Sequence, residues 1–262
     1  MEKNVTVERK GHVLLMGLNR PAKMNAFNLD MYIELAVALG ELNNDPELRC
    51  GLLFAHGKHF TAGLDLPQWV PLIEKGVFSP PLPREACDPL GLDEARRVGK
   101  PVVIAVQGIC FTIGFELLLA ADIRVASADV RLAMIEIKRG IYPVGGATIR
   151  LHQEIGWGNS MRYLLTGDEL RSDEAYRLGL IQKVAENGTQ LDRALEIAET
   201  IAKQAPLGVK ATLLSARRVQ SDGEKAAIAK LVPDLTILMR SEDAAEGVKS
   251  FVEKREARFK GR

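Results

Sequence analysis

One stretch, from Gly108 to Asp122, constrains the fold of this chain more than any other part of it. It follows an apolar run at residues 101–106, which is typical of a buried strand. It continues as an apolar helix, for which Thr112 is the predicted N-cap. Glu116 lies within that helix, where an ionised carboxylate is costly unless it has a partner or keeps its proton. The stretch therefore predicts a helix start with unpaired N–H groups beside a carboxyl group of perturbed pKa.

Strand and helix signals alternate along the first two thirds of the chain. Two strands at residues 5–9 and 12–18 precede a helix that Asn28 caps and that ends near residue 44, and a third strand follows. This alternation predicts an α/β core with parallel strands. From residue 160 onward nearly every segment indicates a helix. We predict a core over residues 1–188 and a helical extension over residues 189–262 that buries its apolar faces against a neighbouring subunit.

Composition excludes several classes of protein. The net charge of +1 requires neither a nucleic-acid surface nor a membrane surface. The three cysteines form no C-x-x-C pair and the four histidines no H-E-x-x-H motif, so we predict no metal site and a reducing compartment. The sequence contains no apolar run of membrane-spanning length, and its N-terminus does not look like a targeting signal. We expect a cytoplasmic protein.

Residues 67–89 hold six of the twelve prolines and cannot form one regular helix. They are either an irregular surface excursion or a loop over a binding pocket that sets its specificity. A short helix is predicted at residues 92–98, a loop at 134–147 and a late strand at 181–184.

Two carboxylates in apolar surroundings, Glu116 and Glu136, are the best catalytic candidates. Each lies near glycine-rich backbone, and two carboxyl groups with raised or split pKa values can act as general base and general acid. The alternative is structural: Glu116 forms a salt bridge in the core with Arg124 or Arg131, and Glu136 is a solvated loop residue. Spacing alone leaves both interpretations open.

Short segments along the whole chain form a recognisable set. They are 18–27 (LNRPAKMNAF), 60–66 (FTAGLDL), 100–108 (KPVVIAVQG), 114–117 (GFEL), 165–167 (LTG), 179–181 (GLI) and 251–255 (FVEKR). Together and in this order they resemble the enoyl-CoA hydratase/isomerase (crotonase) superfamily. Each segment is weak by itself, but the set is specific.

The resemblance implies a spiral of repeated strand–strand–helix units with a helical C-terminal trimerisation region, in a homotrimer or a hexamer built as a dimer of trimers. The ligand would be an acyl-CoA thioester, and no separate cofactor is expected because coenzyme A is part of the substrate. The backbone N–H groups of Leu64 and Ile113 would form an oxyanion hole. By position, the residues expected to contact CoA or substrate are Lys23, Ala26, Ala62, Asp65 and, from a neighbouring subunit, Lys254.

Hydratases of this superfamily use two glutamates, and both positions are glutamate here. The resemblance thus implies hydration of a trans-2-enoyl-CoA to a 3-hydroxyacyl-CoA through a thioester enolate, a lyase reaction. Glu116 would deprotonate the attacking water and Glu136 would exchange the proton at the α-carbon.

The sequence departs from the family pattern in two places. Thr112 and Ile113 stand where glycines are usual, and Val144 stands near the expected water position, where a β-branched side chain adds bulk. The alternatives are an enoyl-CoA isomerase or another crotonase-type acyl-CoA reaction, and a CoA-binding protein without catalysis. Retention of both glutamates favours the hydratase, and the charge argues against RNA binding.

Overall fold

The computed structural model describes residues 3–262, and its elements follow the predicted alternation of strands and helices. The strands are β1 (Val5–Lys10), β2 (Val13–Leu18), β3 (Cys50–Ala55), β4 (Val102–Val106), β5 (Ile109–Phe111), β6 (Ile123–Ser127), β7 (Arg131–Ala133), β8 (Leu170–Arg171) and β9 (Lys183–Ala185). The helices are α1 (Leu29–Asn44), α2 (Leu66–Ile73), α3 (Ile113–Ala120), α4 (Ala147–Ile155), α5 (Trp157–Thr166), α6 (Ser172–Arg177), α7 (Gln190–Ala202), α8 (Pro206–Asp222), α9 (Glu224–Leu238) and α10 (Glu242–Glu253).

The strands form a large sheet in the order β1-β2-β3-β4-β6-β9 and a small sheet in the order β5-β7-β8. The large sheet is parallel from β2 to β9, and β1 joins β2 as an antiparallel hairpin. In the small sheet β5 and β7 are parallel. The predicted α/β class with parallel strands is confirmed.

Two successive units repeat the same path between the sheets. β4 lies in the large sheet, β5 in the small sheet, and α3 follows; β6, β7 and α4 repeat this order. Gly108, between β4 and β5, has φ 54°, and a Cβ there would lie 2.4 Å from the carbonyl oxygen of Lys58. Glycine is therefore required where the chain turns from one sheet to the other. This strand–strand–helix repeat agrees with the predicted spiral.

Side chains of the large sheet alternate between two apolar layers. In β2, Leu14 and Met16 belong to the main core, which includes the inner face of α1, whereas Val13 and Leu15 belong to a second layer under α7. The period of two residues is that of a strand buried on both faces. The side chains of α7 in this second layer are small, so the helix can lie close to the sheet: Ala194, Ala198 and Ala202.

The C-terminal helices divide into one that covers the sheet and others that leave apolar side chains in solvent. α7 packs against the large sheet, although it begins beyond the predicted boundary at residue 188. α8 and α9 pack against each other. The division into two regions and the trimerisation role stay predictions. Large apolar side chains are exposed on the last two helices: Ile228, Leu231, Val232, Leu235, Ile237, Val248, Phe251 and Val252.

The proline-rich segment begins with a helix that the sequence did not predict. Pro67 is tolerated in the first turn of α2, where the N–H group that proline lacks has no helical partner. Trp69 is fully buried, and its Nε1 donates to the carbonyl of Phe27 at 2.7 Å, which fixes α2 to the core.

The other differences from the predicted elements are small. The helix predicted at 92–98 shrinks to a 3-10 turn at Glu94–Arg96, and the loop predicted at 134–147 contains a 3-10 helix at Ile135–Arg139. The late strand lies at Lys183–Ala185, two residues beyond the predicted start.

None of the helices within residues 3–262 combines the length and apolar character needed to cross a membrane. Cys50, Cys87 and Cys110 are buried free thiols. The cytoplasmic location stays a prediction.

Candidate active site

The two predicted catalytic carboxylates lie just beyond the carboxyl ends of neighbouring parallel strands. Phe111 at the end of β5 pairs with Ala133 at the end of β7. α3 then carries Glu116, and the 3-10 helix after β7 carries Glu136. Side chains that follow adjacent parallel strands converge at one edge of a sheet. The fold thus brings together two residues twenty positions apart in the sequence.

The carboxyl group of Glu116 is enclosed by protein. The residue is 2% exposed, and its Oε1 accepts a hydrogen bond from the N–H of Ala147, the first residue of α4, at 3.2 Å. A Cβ on Gly145 would lie 2.2 Å from Oε2, so only glycine fits beside the carboxyl group. Burial raises the pKa of Glu116 to about 8, the charge of Glu136 adds to this, and the Ala147 hydrogen bond opposes it.

Glu136 faces the same region with one oxygen unsatisfied. Its Oε2 is buried and has no hydrogen-bond partner among residues 3–262. Burial raises the pKa of Glu136 to about 7. Two carboxyl groups that titrate near neutrality and interact with each other can hold and exchange a proton at physiological pH.

The structural alternative for these glutamates is wrong. Arg124 forms a bidentate pair with Glu154 at 2.8 and 2.9 Å, and Arg131 pairs with Glu169. Neither arginine is paired with Glu116. Glu136 is half-buried rather than solvated, and one of its oxygens is hidden from solvent.

A second part of the site is a gap between two chain segments that run in parallel. Thr61 and Cys110 form a parallel bridge, with the N–H of Phe111 donating to the carbonyl of Thr61 at 3.1 Å. Beyond this pair the ladder stops: in the described part of the chain, no backbone hydrogen bond joins residues 62–65 to residues 112–115. Leu64 and Ile113 each lie three residues beyond the bridge along their own segments.

The N–H groups of Leu64 and Ile113 have no acceptor within residues 3–262. Phe27 forms hydrogen bonds with both neighbours of Leu64. Its N–H donates to the carbonyl of Gly63 at 2.8 Å, and its carbonyl accepts from the N–H of Asp65 at 2.8 Å. Ile113 is the first residue of α3, whose positive dipole end adds to the attraction for an anion. Two free donors on opposite sides of a gap match an oxyanion hole.

Thr112 adopts a backbone conformation that favours glycine. Its φ is 51° and ψ is −117°, which is strained for a β-branched residue by roughly 1–3 kcal/mol. The predicted side-chain cap does not form: Oγ1 of Thr112 is buried and has no hydrogen-bond partner in the described chain. The hydroxyl instead packs on Gly63, where a Cβ would lie 2.5 Å from it. The side chain of Thr112 therefore fills the space left by Gly63 across the gap.

The residues predicted to bind CoA or substrate lie on one loop and one turn that are tied together. Lys23 is exposed at the end of a 3-10 helix, and the carbonyl of the next residue, Met24, accepts from the N–H of Ala62 at 3.0 Å. Asp65 pairs with Arg20 at 3.3 Å, and Arg20 also donates to the carbonyl of Ala26.

The ion pair with Arg20 occupies the half-buried carboxylate of Asp65. Lys254 is exposed at the end of α10, with no hydrogen bond from its side chain to residues 3–262. Its contact with CoA stays a prediction.

Sequence reasoning missed two groups of residues that build the site. Asn25 is fully buried and ties the loop together, accepting from the Arg20 N–H and donating to the carbonyls of His56 and His59. Tyr32 donates to Asp88 beside the carboxylates. A buried Asn with φ 52° leaves no periodic signal, and the partner of Tyr32 is 56 residues away.

Within residues 3–262 no cluster of three or more potential metal ligands forms.

Comparison with known proteins identifies the family of this chain. A family profile described as Enoyl-CoA hydratase/isomerase matches residues 8–262. The chain belongs to the enoyl-CoA hydratase/isomerase family. It is 35% identical to Enoyl-CoA hydratase EchA19 of Mycobacterium tuberculosis, over 98% of this chain and 96% of that one. It is 33% identical to the Short-chain-enoyl-CoA hydratase of Clostridium acetobutylicum, over 99% and 98%.

Solved structures of family members have the same fold. A probable enoyl-CoA hydratase/isomerase from Mycobacterium abscessus superposes with a TM-score of 0.95 at 46% identity, covering 99% of both chains. An enoyl-CoA hydratase from Mycobacterium tuberculosis H37Rv superposes with a TM-score of 0.89 at 33% identity, covering both chains completely. These likenesses confirm the predicted crotonase-like fold class.

The unpartnered hydroxyl of Thr112 predicts an increase in stability when it is removed. We expect Thr112→Val to raise the free energy of unfolding by about 1 kcal/mol, because the cost of burying a lone hydroxyl disappears while the strained backbone stays the same. The measurement is urea unfolding followed by circular dichroism. The matched control is Thr61→Val, which removes a hydroxyl that donates to Asn25 at 2.7 Å and should lower stability. If Thr112→Val and Thr61→Val lower the free energy of unfolding by equal amounts, the prediction is contradicted.

The raised pKa of Glu116 predicts that the active site costs stability at neutral and alkaline pH. An unfolded glutamate titrates near pH 4.3, whereas Glu116 in the folded protein keeps its proton up to about pH 8. Its contribution to stability is therefore complete below about pH 4 and is lost as pH rises to about 8. Glu116→Gln stays neutral throughout, so we expect its stability relative to the parent chain to rise by a few kcal/mol, at the order-of-magnitude level, between pH 5 and pH 9.

Denaturant unfolding at a series of pH values measures this difference. The control is Glu154→Gln, because the Arg124 partner lowers the pKa of Glu154. That variant should lose stability at neutral pH and lose less in acid. A pH-independent difference for Glu116→Gln would show that Glu116 ionises normally in the folded protein.

Proposed function

We propose that this protein hydrates a trans-2-enoyl-CoA to a 3-hydroxyacyl-CoA, a carbon–oxygen lyase reaction. The observation that carries the proposal is the pairing of Glu116 and Glu136, both with pKa values raised toward neutrality, beside a gap with two free N–H donors. The relatives named as enoyl-CoA hydratases support it. No added cofactor is needed, because coenzyme A belongs to the substrate.

The proposed oxyanion hole acts on the thioester carbonyl. The N–H groups of Leu64 and Ile113 donate to the carbonyl oxygen, and these bonds strengthen as negative charge develops on it in the enolate. Backbone donors that are already in place need no reorganisation during the reaction, and each is worth roughly 10²–10³ in rate. Neither donor depends on its side chain, so Ile113 can stand in place of glycine without loss of its N–H group.

The two carboxyl groups then move two protons. One carboxylate takes a proton from the water that attacks the β-carbon, and the other carboxyl group gives its proton to the α-carbon. The pair must therefore hold one proton when the substrate binds. We assign the water to Glu116, which the N–H of Ala147 and the close fit of Gly145 hold in place, and the α-carbon proton to Glu136. Because the pKa of Glu116 is the higher of the two, the reacting form, with the proton on Glu136, is the minor one of the two singly protonated forms.

Isomerisation is the second candidate within the family. Moving a double bond requires only one carboxyl group to carry a proton between two carbons, so the second buried carboxyl group, Glu136, favours hydration. Incubation with 2-enoyl and 3-enoyl thioesters, with the products separated by mass, distinguishes the two reactions.

We also propose that the chain assembles as a homotrimer or as a dimer of trimers. The apolar side chains exposed on α9 and α10 support this proposal, since a surface of that kind is usually buried against a neighbour. Lys254, exposed at the end of α10, would then reach the CoA phosphates of an adjacent subunit.

The proposed mechanism predicts a bell-shaped dependence of kcat/KM on pH. The singly protonated pair is most abundant between the pKa of Glu136, about 7, and that of Glu116, about 8, so activity on crotonyl-CoA should peak between these values. Glu116→Gln and Glu136→Gln should each lower kcat by roughly 10²–10⁴ and remove the bell shape. The loss of enoyl absorbance measures the rate. Glu154→Gln, in which the changed residue lies outside the site, is the control. Unchanged rates in both active-site variants would reject the assignment.

The proposed assembly predicts a mass of three or six times the 28.7-kDa chain in light scattering. We expect Val232→Asp on α9, where the side chain is 70% exposed, to lower that mass because it places a charge in the contact. Val7→Asp on β1, where the side chain is also exposed, is the matched control and should leave the mass unchanged. A monomeric parent chain would contradict the proposal.

A further inference from the structure

A short ladder of hydrogen bonds joins the two chain segments that carry the proposed oxyanion-hole donors. In its backbone part, the N–H of Thr61 donates to the carbonyl of Ile109 at 3.0 Å, and the N–H of Phe111 donates to the carbonyl of Thr61 at 3.1 Å. A further bond uses a side chain: the N–H of Ile109 donates to Nδ1 of His59 at 3.1 Å. His59 therefore takes part in the ladder that aligns the two segments.

The side chain of His59 replaces its own carbonyl in this ladder. The bridge of Thr61 with Cys110 has the parallel pattern. Continued regularly by one step, that pattern would send the N–H of Ile109 to the carbonyl of His59. That carbonyl instead accepts from Nδ2 of Asn25 at 2.8 Å. The imidazole thus supplies the acceptor that the backbone gives to Asn25.

The peptide group between Gly108 and Ile109 is held at both of its polar atoms. Its oxygen, the carbonyl of Gly108, accepts from the N–H of Arg131 at the start of β7, at 2.7 Å. Its N–H is the one that donates to His59. A Cβ on Gly108 would lie 2.5 Å from Nδ1, so the ring packs directly on this peptide group. Without the imidazole acceptor, β7 would hold the group from one side only.

This hydrogen bond requires a neutral imidazole with its proton on Nε2. Because the N–H of Ile109 is a donor, Nδ1 must carry no proton. Burial lowers the pKa of His59, and the positive charges of Lys58 and Arg131 lower it further. The charge of Asp129, on the turn before β7, opposes them. A proton on Nδ1 would remove the acceptor and set two N–H groups against each other.

We propose that His59 is a positioning residue for the oxyanion hole, and that its unprotonated Nδ1 holds the segment of Ile113 in register with the segment of Leu64. This inference rests on the proposed hydration of an enoyl-CoA. His59 and its partner Ile109 lie four or five residues before the two donors. A shift of one segment against the other therefore changes the separation of the donors, which act only at hydrogen-bond distance from the developing charge.

Two substitutions of similar size separate the acceptor from the bulk of the ring. His59→Asn can place Oδ1 where Nδ1 stands and keeps an acceptor, whereas His59→Leu has the same branched shape and no acceptor. On crotonyl-CoA we expect His59→Leu to lower kcat by about tenfold to a hundredfold, the effect of a small displacement of a catalytic group. KM should change by less than about threefold, because the lost alignment matters in the transition state. His59→Asn should keep the kcat of the parent within about threefold.

Infrared spectroscopy reports the oxyanion hole itself. Butanoyl-CoA has no double bond to hydrate, and its carbonyl stretch falls in frequency when N–H groups donate to the carbonyl oxygen. With an isotope label at the thioester carbonyl, difference spectra of the bound ligand should show a smaller fall in His59→Leu than in the parent. His59→Asn should show the same fall as the parent.

Acid tests the protonation state of the ring. As the pH falls below about 6.5, the ordinary pKa of histidine, protonation of His59 should lower the rate of the parent. His59→Asn does not titrate in this range and should keep a larger share of its maximum kcat. The ratio of the two rates removes the effect of Glu116 and Glu136, which both proteins share.

His12→Leu is the matched control. It removes a histidine hydrogen bond, in which Nδ1 donates to the carbonyl of Glu47 at 2.6 Å, next to the amino end of β2. It should leave kcat and the carbonyl frequency unchanged. Thermal unfolding and circular dichroism establish that each variant is folded, and the acid comparison of the parent with His59→Asn carries the test if His59→Leu is not.

Three results would overturn the inference. In the first, His59→Leu keeps the kcat of the parent or its carbonyl frequency. In the second, His59→Asn loses as much kcat as His59→Leu, and in the third the parent and His59→Asn lose activity in parallel in acid. Failure of the parent protein to hydrate any thioester would instead reject the proposed function, and the infrared comparison would still test the alignment of the two donors.

Discussion

The burial of one carboxyl group, that of Glu116, is the constraint around which the rest of the site is arranged. α3 is apolar on every side, so its single acidic residue is enclosed wherever the helix packs. The nearby arginines are occupied, Arg124 by Glu154 and Arg131 by Glu169. What the fold supplies is backbone hydrogen bonding from Ala147, at the start of α4, and from Gly145. These neutral donors do not offset the loss of hydration, and the proton is therefore retained up to mildly alkaline pH.

The gap between the two free N–H groups depends on how the side chain of Thr112 fits against Gly63. Gly63 leaves space on one side, and Thr112 fills it from the other. The price is a β-branched residue at positive φ and a hydroxyl without a partner. Strain of this kind persists only where the surrounding structure determines the conformation. Here the bridge between Thr61 and Cys110 and the bond from the Thr112 N–H to Ala133 hold the segment on both sides.

Much of the fold was predictable because its signals are local. The Asn28 cap and the end of α1 at Asn44 each depend on a few adjacent residues, and the structure has them as predicted. The pairing of Glu116 with Glu136 was predictable only as one of two alternatives, since both alternatives require contacts between distant residues.

The wrong prediction of a side-chain cap and the contacts that were missed concern geometry that residue types do not determine. Thr112 is a good cap by residue type, but its φ is set by the neighbouring strand rather than by α3. The bond between Tyr32 and Asp88 joins α1 to a loop that no periodicity describes. Long-range pairing selects these contacts, and a single sequence carries no direct signal for them.

The repeated path of the chain explains why groups so far apart in the sequence meet. The chain beyond β3 carries Leu64, the chain beyond β5 carries Ile113 and Glu116, and the chain beyond β7 carries Glu136. Each group follows the carboxyl end of a parallel strand, so the register of the strands fixes the spacing of the groups. The pairing of Phe111 with Ala133 sets the distance between the two glutamates in the same way that the Thr61 bridge sets the width of the gap. The positions of the groups proposed to react therefore depend on the register of the sheets.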